Sequence, residues 1–331
     1  MTDPIAALPA PTAPVSERRY QPDDLTVSLD DFGEADRRRV RAVYDFAQGI
    51  YLDWLESDDR DPGAAMARLR ATDLRALRAE TDRLGDDTSD DSRVRAIIHD
   101  IRGGTTSAFM SLAELLLDQE VPEERQLAYL QQLIWLVRDE AKVMRGLIAD
   151  LDPEMREPDT EHEPHSVRDL VVKWNGMRYD GGDATVSLSV RNDLGDTALA
   201  NRCLEASAID RVSYNFLNNA ARFSASGDVT IDLRPVQDRE MGRITVVNDL
   251  PEDETAWLEE RLSSDPMALF RPDVTRGGTG IGLGACAEVV GAAFELTPDQ
   301  AIRERVIGYE VVDGRFYAWF CWPTADVGTA A

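Results

Sequence analysis

Between residues 33 and 84 apolar side chains return every three or four positions. Val40, Val43, Tyr44, Ala47, Ile50, Tyr51 and Trp54 lie on one helix face. The stretch "SDDRDPG" (57–63) ends that helix and a second is predicted from about Ala64 to Leu84. The acidic run "GDDTSDD" (85–91) then supplies turn residues and N-caps. A longer stripe follows in two arms. Val94, Ile97, Ile98, Ile101, Ala108, Phe109, Leu112, Leu115 and Leu116 form the first. Leu127, Leu130, Leu133, Ile134, Val137, Ala141, Met144, Leu147 and Ile148 form the second, after a turn over "DQEVPEER" (118–125) in which Pro122 can open the helix. Two antiparallel helices cannot cover their own apolar faces, so the pattern predicts a four-helix bundle made by dimerisation.

From Ser166 the period changes to two. "ATVSLSV" (184–190), "DVTIDLR" (228–234) and "RITVVND" (243–249) alternate as half-buried strands, and two closing strands are expected near 307–312 and 315–322. Helices are predicted over 206–224 and 285–294. The expected fold is α+β: a tail over 1–30, a helical accessory region over 31–88, a helical hairpin over 89–151, a polar linker over 152–165, and an α/β sandwich over 166–325.

Composition narrows this picture. The 331 residues suffice for two or three domains. No run of 18 apolar residues occurs, so no membrane insertion is expected, and the Pro/Ala-rich start lacks the basic and apolar regions of a secretory signal. A net charge of -26 argues against a nucleic-acid partner reached through a basic face. Lys142 and Lys173 are the only lysines; such an acidic, lysine-poor surface suits a high-salt interior. Cys203, Cys286 and Cys321 are odd in number and widely spaced, which argues for reduced thiols and a cytoplasmic location.

Three stretches carry candidate chemistry. "RGGTGIGLG" (276–284) opens directly into a helix, so its backbone N–H groups and the helix dipole can approach phosphate. It is neither a Rossmann fingerprint nor a Walker loop, because no strand leads into it and the Lys-Ser/Thr ending is missing. On the helix over 206–224, Asn215 and Asn219 share a face, with Arg222 and Phe223 one turn on. Amide oxygens suit a hydrated Mg²⁺, a guanidinium suits phosphate and an aromatic ring suits a base; a pair of bridging amides is the plainer alternative. The third stretch is "AIIHDIRGG" (96–104), with His99 beside Asp100.

Together these stretches resemble the boxes of sensor histidine kinases. "AIIHDIRGG" is similar to their H-box, "NFLNNAARFS" to their N-box and "VTRGGTGIGLGACAEVVG" to their second glycine box, with "MALFRP" (267–272) in place of the phenylalanine box. The resemblance covers about residues 90 to 323. It implies a dimeric hairpin bundle followed by a GHKL-type ATP-binding domain. His99 would be the phosphoryl acceptor, with Asp100 accepting its other ring proton. Asn215, Asn219, Arg222, Phe223, Asn248, Gly278, Thr279, Gly280, Ile281 and Gly282 would bind ATP, and Asn219, assisted by Asn215, would hold Mg²⁺. The implied partners are a second copy of the chain and the receiver domain of a response regulator. His162 and His165 would be solvated bystanders of the linker.

The chain also departs from the family's pattern. Asn248 stands where an aspartate meets adenine, with Asp249 as the alternative register. Leu250 and Glu252 stand where glycines are expected, which weakens ATP binding. Gly103 and Gly104 replace a water-orienting Thr or Asn and a proline, which disfavours phosphatase action by the usual route. The leading expectation is a soluble kinase that autophosphorylates on His99. The alternative is a histidine phosphotransferase or pseudokinase adaptor.

Overall fold

The computed structural model describes residues 3–16, 20–21, 25–87, 91–118, 121–180, 185–265, 267–271, 274 and 281–325. The chain is α+β, as expected, and divides into two compact units, Pro22–Asp159 and Met1–Gln21 with Thr160–Ala331.

The first unit is helical. α1 (Glu34–Glu56) is followed by α2 (Pro62–Ala71), capped by Asp61, and α3 (Leu74–Asp82), capped by Asp73. The single helix expected over 64–84 is therefore two, because the Asp73 carboxylate accepts from Ala76 N–H and starts a new helix. α4 (Ser92–Arg102) and α5 (Gly104–Leu117) form the first arm of the hairpin, and α6 (Glu123–Leu147), with Pro122 as its N-cap, forms the second. The two glycines make a break rather than a smooth bend. Gly103 N–H closes on the His99 carbonyl at 3.0 Å, and a Cβ there would sit 3.2 Å from that oxygen.

The apolar stripe of the hairpin is not bare. α1 packs along α6, and α2 and α3 reach α5. Leu133, Val137, Ala141 and Met144 are 0 % exposed within one chain, and Phe46 of α1 meets Phe109 of α5 with ring centroids 5.8 Å apart. The premise of the expected dimer, that nothing else covers the stripe, does not hold. The accessory helices carry a complementary stripe of their own and supply the cover in cis. Leu115, Leu117 and Leu127, towards the closed end of the hairpin, stay exposed.

The expected linker begins with a docked helix, α7 (Pro153–Asp159). Its Asp159 accepts from buried Arg145 at 2.7 Å, and Arg145 also reaches the Tyr44 hydroxyl and Gln48 Oε1 of α1. A buried guanidinium is tolerable only with its donors engaged in this way.

The second unit is built on a six-stranded mixed sheet. β1 (His165–Ser166) pairs with β4 (Ala198–Ala200) in a small separate ribbon. The sheet consists of β2 (Arg178–Asp180), β3 (Thr185–Asn192), β5 (Asp228–Pro235), β6 (Met241–Asp249), β7 (Ile307–Val312) and β8 (Arg315–Pro323), in the order β2-β3-β5-β6-β8-β7. Only β3 and β5 are parallel, as the connection between them through α9 (Cys203–Phe223) requires. α8 (Val167–Trp174), α10 (Glu252–Ser264), α11 (Gly282–Ala293) and α12 (Pro298–Arg303) complete the unit. His165 is not a solvated linker residue: it pairs with Ala200 in the ribbon.

β8 reads RFYAWFCWP, with no polar alternation, and both of its faces are covered. Phe320 meets Phe216 of α9 edge-on, and the Trp322 indole donates to Glu205 of the same helix. Tyr317 and Trp319 point to the other face, where Ile5 and Leu8 pack on them. The N-terminal segment expected to be a disordered tail thus runs as a strap over its described residues. Asp3 pairs with Arg234, Arg243 donates to the Leu8 and Pro9 carbonyls, Arg239 donates to the Ala13 carbonyl, and Thr12 bonds Glu304. A segment this rich in Pro and Ala has no periodicity to reveal it, but the apolar outer face of β8 needs a cover. The three cysteines are buried and form no disulfide, and burial pushes the Cys321 thiol up to about 11.

Candidate functional site

The helical unit holds the first set of residues. His99 lies in the last turn of α4, whose core-facing Val94, Ile97, Ile98 and Ile101 are buried. Its side chain is 27 % exposed, although its Nδ1 is buried. That nitrogen has no hydrogen bond and stands 3.5 Å from Asp100 Oδ1. The remaining exposure of the ring therefore belongs to its other atoms. Asp100 is itself buried, so the pair is half in the core and half out. Because α4 ends at Arg102, the chain turns away one turn after His99.

Around this break is a group of polar residues that helical periodicity alone did not single out. Thr105 and Thr106 in the first turn of α5, and Asp139 and Glu140 on α6, are all buried. Glu140 is pushed up to about 8. Burial is the main cause, reinforced by the nearby carboxylates of Asp100 and Asp139 and opposed by the hydroxyls of Thr105 and Thr106. A sequence signal did exist: Asp139-Glu140 interrupts the apolar run between Val137 and Ala141, at positions the α6 stripe carries inward.

The sheet unit holds the second set. Asn215 is buried on α9 and donates its amide to the Arg211 carbonyl at 3.0 Å. Asn219, one turn on, is half-buried, and its side chain makes no hydrogen bond among the described residues. Between them Asn218 turns back to the sheet and accepts from the Tyr179 hydroxyl at 2.6 Å. Arg222 is exposed, with its guanidinium carbon 5.5 Å from the Phe223 ring centroid.

The pleat of β6 puts Asn248 and Asp249 on opposite faces of the sheet. Asn248 is buried on the α9 face, and its amide nitrogen donates to the Phe223 and Asp249 carbonyls at 3.4 and 3.3 Å. Its Oδ1 keeps an acceptor without a protein partner among the described residues. Asp249 points to the opposite face, where Arg315 donates to it at 2.8 Å. Immediately after the strand, with Pro251 as N-cap, α10 begins with Glu252, Asp253 and Glu254 in its first turn. The chain therefore enters a helix where the pattern led to an open glycine turn, and three carboxylates complement that helix dipole.

α11 begins at Gly282 with Ile281 as its N-cap, three residues before the expected helix start. Gly278, Thr279 and Gly280 lie outside the described residues. Residues 267–271 pack against β7. Phe270 stacks on Tyr309 at 5.2 Å, Tyr309 stacks on Phe316, and the Leu269 N–H donates to the Tyr309 hydroxyl. An adjoining cleft of about 540 Å³ is lined by residues that include Phe270, Arg271, Gly284, Ile302 and Arg303.

Asn219 and Asn248 each leave amide capacity unspent, so these residues fit a nucleotide and its metal. Asn215 fits less well, its amide nitrogen being tied to its own helix. Among the described residues no group of three His, Cys, Asp or Glu side chains could hold a metal ion, and no helix is long and apolar enough to cross a membrane.

No family model matches the chain. It is 24% identical over 213 residues to the adaptive-response sensory kinase SasA of Synechocystis sp. (strain ATCC 27184 / PCC 6803 / Kazusa), an alignment that covers 62% of this chain and 54% of that protein. The chain thus spans about half the length of the curated relative it matches. Among solved structures it is similar to the catalytic domain of the histidine kinase ThkA, at 20% identity over 42% of this chain and 80% of that one, with a TM-score of 0.30. It is also similar to a histidine kinase from Burkholderia phymatum STM815, at 16% identity over 70% and 98%, with a TM-score of 0.32. A third is ThkA in complex with the response regulator protein TrrA, at 17% identity over 78% and 66%, with a TM-score of 0.29. By sequence, the chain is homologous to sensor histidine kinases.

Proposed function

We propose that the protein is a two-component histidine kinase that autophosphorylates on His99 and passes the phosphoryl group to a receiver-domain aspartate. The observation that carries this reading is the His99–Asp100 pair at the α4 break, with one ring nitrogen turned inward to a carboxylate and the rest of the ring partly exposed. A small rotation closes the 3.5 Å gap to a hydrogen bond. Asp100 then holds the proton on Nδ1, which leaves the Nε2 lone pair outward as the nucleophile.

Mg²⁺-ATP would supply the phosphoryl group, and the proposed binding residues would act by positioning and charge neutralisation. Asn248 Oδ1 would accept from the adenine amine while its amide nitrogen stays on the Phe223 carbonyl. Asn219 would offer its amide oxygen to the metal, with Asn215 in support. Arg222 would meet phosphate and Phe223 the base. Gly278, Thr279, Gly280, Ile281 and Gly282 would bring backbone N–H groups to the phosphates. A cytoplasmic location and a receiver-domain partner belong to the same reading. A homodimer would have to form elsewhere than on the stripe, and the exposed Leu115, Leu117 and Leu127 offer the apolar surface for it.

One observation favours a second reading, a phosphotransferase or pseudokinase adaptor. The three carboxylates at the start of α10 follow Asn248 by four to six residues, where they oppose a polyphosphate. Incubation of the full chain with Mg²⁺ and γ-labelled ATP separates the two. Acid-labile label on His99 supports the kinase. No label and no nucleotide binding at millimolar concentration, together with acceptance of phosphate from a phosphorylated receiver, supports the adaptor.

A further inference from the structure

We propose that the N-terminal segment is a second tether between the two units: residues 20–27 join them in addition to residues 159–163, and the pair confines the sheet unit to the reach of His99. The role at His99 rests on the reading of that residue as the phosphoryl acceptor and of α9 as a nucleotide helix.

The chain passes between the units twice, because Met1–Gln21 belongs with the sheet and Pro22–Asp159 with the helices. Each passage is short and anchored at both ends. In the first, Tyr20 is buried against Trp322 of β8, with ring centroids 5.6 Å apart, and its carbonyl accepts from Arg202 Nη2 at 3.0 Å. Seven residues on, Val27 joins the end of α6: its N–H donates to the Leu147 carbonyl at 2.9 Å, and its carbonyl accepts from Ala149 N–H at 3.0 Å. The Ser28 hydroxyl and the Leu29 N–H then donate to the Asp150 carboxylate, both at 2.7 Å. The second passage starts at Asp159, held by Arg145 of α6. It ends at Glu163, whose N–H donates to the Asn201 carbonyl at 2.8 Å.

The anchors of the two passages coincide. On the helical unit both leave from the C-terminal end of α6, between Arg145 and Asp150. On the sheet unit they reach consecutive residues, Asn201 and Arg202, immediately before α9. This landing point is itself tied down: Glu205, in the first turn of α9, accepts from Asn201 N–H at 2.8 Å and from the Trp322 indole. Because α9 carries Asn215, Asn219 and Arg222, both passages act on the helix proposed to hold metal and phosphate. Fully extended, seven residues reach about 25 Å and four about 14 Å. One flexible link lets a unit swivel freely; two links with shared ends remove the swivel and leave a hinge. A unit confined in this way meets His99 at a high effective concentration, which longer links dilute.

The test lengthens the first passage without touching its anchors: a Gly/Ser segment of about ten residues is inserted after Gln21 of the full chain. Spin labels on Arg95→Cys in α4 and Val172→Cys in α8, both exposed positions, report the distance between the units by pulsed EPR, and the native cysteines are buried. Without the insertion the distance distribution should be narrow; with it, roughly twofold wider. Unchanged tryptophan emission should accompany this, since Tyr20 and the strap stay docked. The same insertion after Thr160 slackens the other passage and should widen the distribution comparably, which gives a second reading if the first variant folds poorly. The rate of His99 labelling by Mg²⁺-ATP should fall several-fold in both. A distribution already as wide without the insertion as with it overturns the tether. Labelling unaffected by a widened distribution overturns its role at His99. No label in any of the proteins, with the distribution still dependent on the insertion, removes the kinase reading instead and leaves the tether standing.

Discussion

The surroundings of His99 and those of Asn248 are built in opposite ways. Around His99, three helices gather buried polar side chains, and their geometry is fixed by core packing: Ile97, Ile98 and Ile101 on one side, Val137 and Ala141 on the other. Around Asn248 and Asn219 the side chains are less committed, with one amide oxygen and one whole amide side chain without a partner among the described residues. On the proposed reading the acceptor end is preorganised by the fold, whereas the donor end would be completed by the nucleotide. Sites of the first kind fail through loss of stability or protonation; those of the second fail through loss of affinity.

The largest effect that would sharpen this contrast is chemical. His99→Gln should abolish acid-labile labelling while circular dichroism and nucleotide affinity stay unchanged. A residual label at full level would break the assignment of the acceptor end.

Next in size is Leu133→Asp. The residue lies inside a bundle closed by its own chain, so a charge there should unfold the helical unit rather than separate two protomers. The cost should be about 3–5 kcal/mol. Loss of helical signal, with no change from dimer to monomer in light scattering, is the expected result. A folded monomer produced from a wild-type dimer would reinstate the intermolecular bundle.

The pH dependence of stability follows from Glu140. Its folded-state ionisation lies near 8, above the ordinary carboxylate range. The stability it contributes is therefore complete below about pH 4.5 and is lost as pH rises towards 8, with a slope approaching about 1.4 kcal/mol per pH unit. Denaturant melts at pH 5 and pH 8 should show this loss in the wild type and a smaller one in Glu140→Gln. Equal losses would mean that other groups dominate.

Leu8→Ala tests the strap. It removes apolar cover from Tyr317 and Trp319 and should cost the sheet unit about 2 kcal/mol, with a red shift in tryptophan emission. An unchanged spectrum and midpoint would return the segment to the status of a tail.

The smallest effect belongs to the donor end. Asn248→Ala removes one acceptor for adenine and should weaken Mg²⁺-ATP binding by roughly tenfold, about 1.4 kcal/mol. Calorimetry on both proteins measures it, and equal affinities would show that adenine is not read there.

Much of this protein was settled by the sequence alone. The three- and four-residue steps of Val40 to Trp54 and of Val94 to Ile148 are local properties of a helix. The alternation in β3, β5 and β6 is a local property of a strand, and the observed elements stand close to the predicted bounds. The breaks at Gly103 and Asp73 were less legible, since a glycine pair can bend a helix or end it and a capping aspartate competes with helix continuation. Tertiary structure alone decided which face met which. A stripe says that it needs a cover but not whose. It was the packing of α1 on α6 that made the bundle internal, and the apolar outer face of β8 that held a segment with no pattern of its own. The same holds for chemistry. His99 and Asp100 are adjacent in sequence and can be read together, whereas Glu140 lies forty residues from Asp100 and acquires its proton only when three helices exclude water from around it.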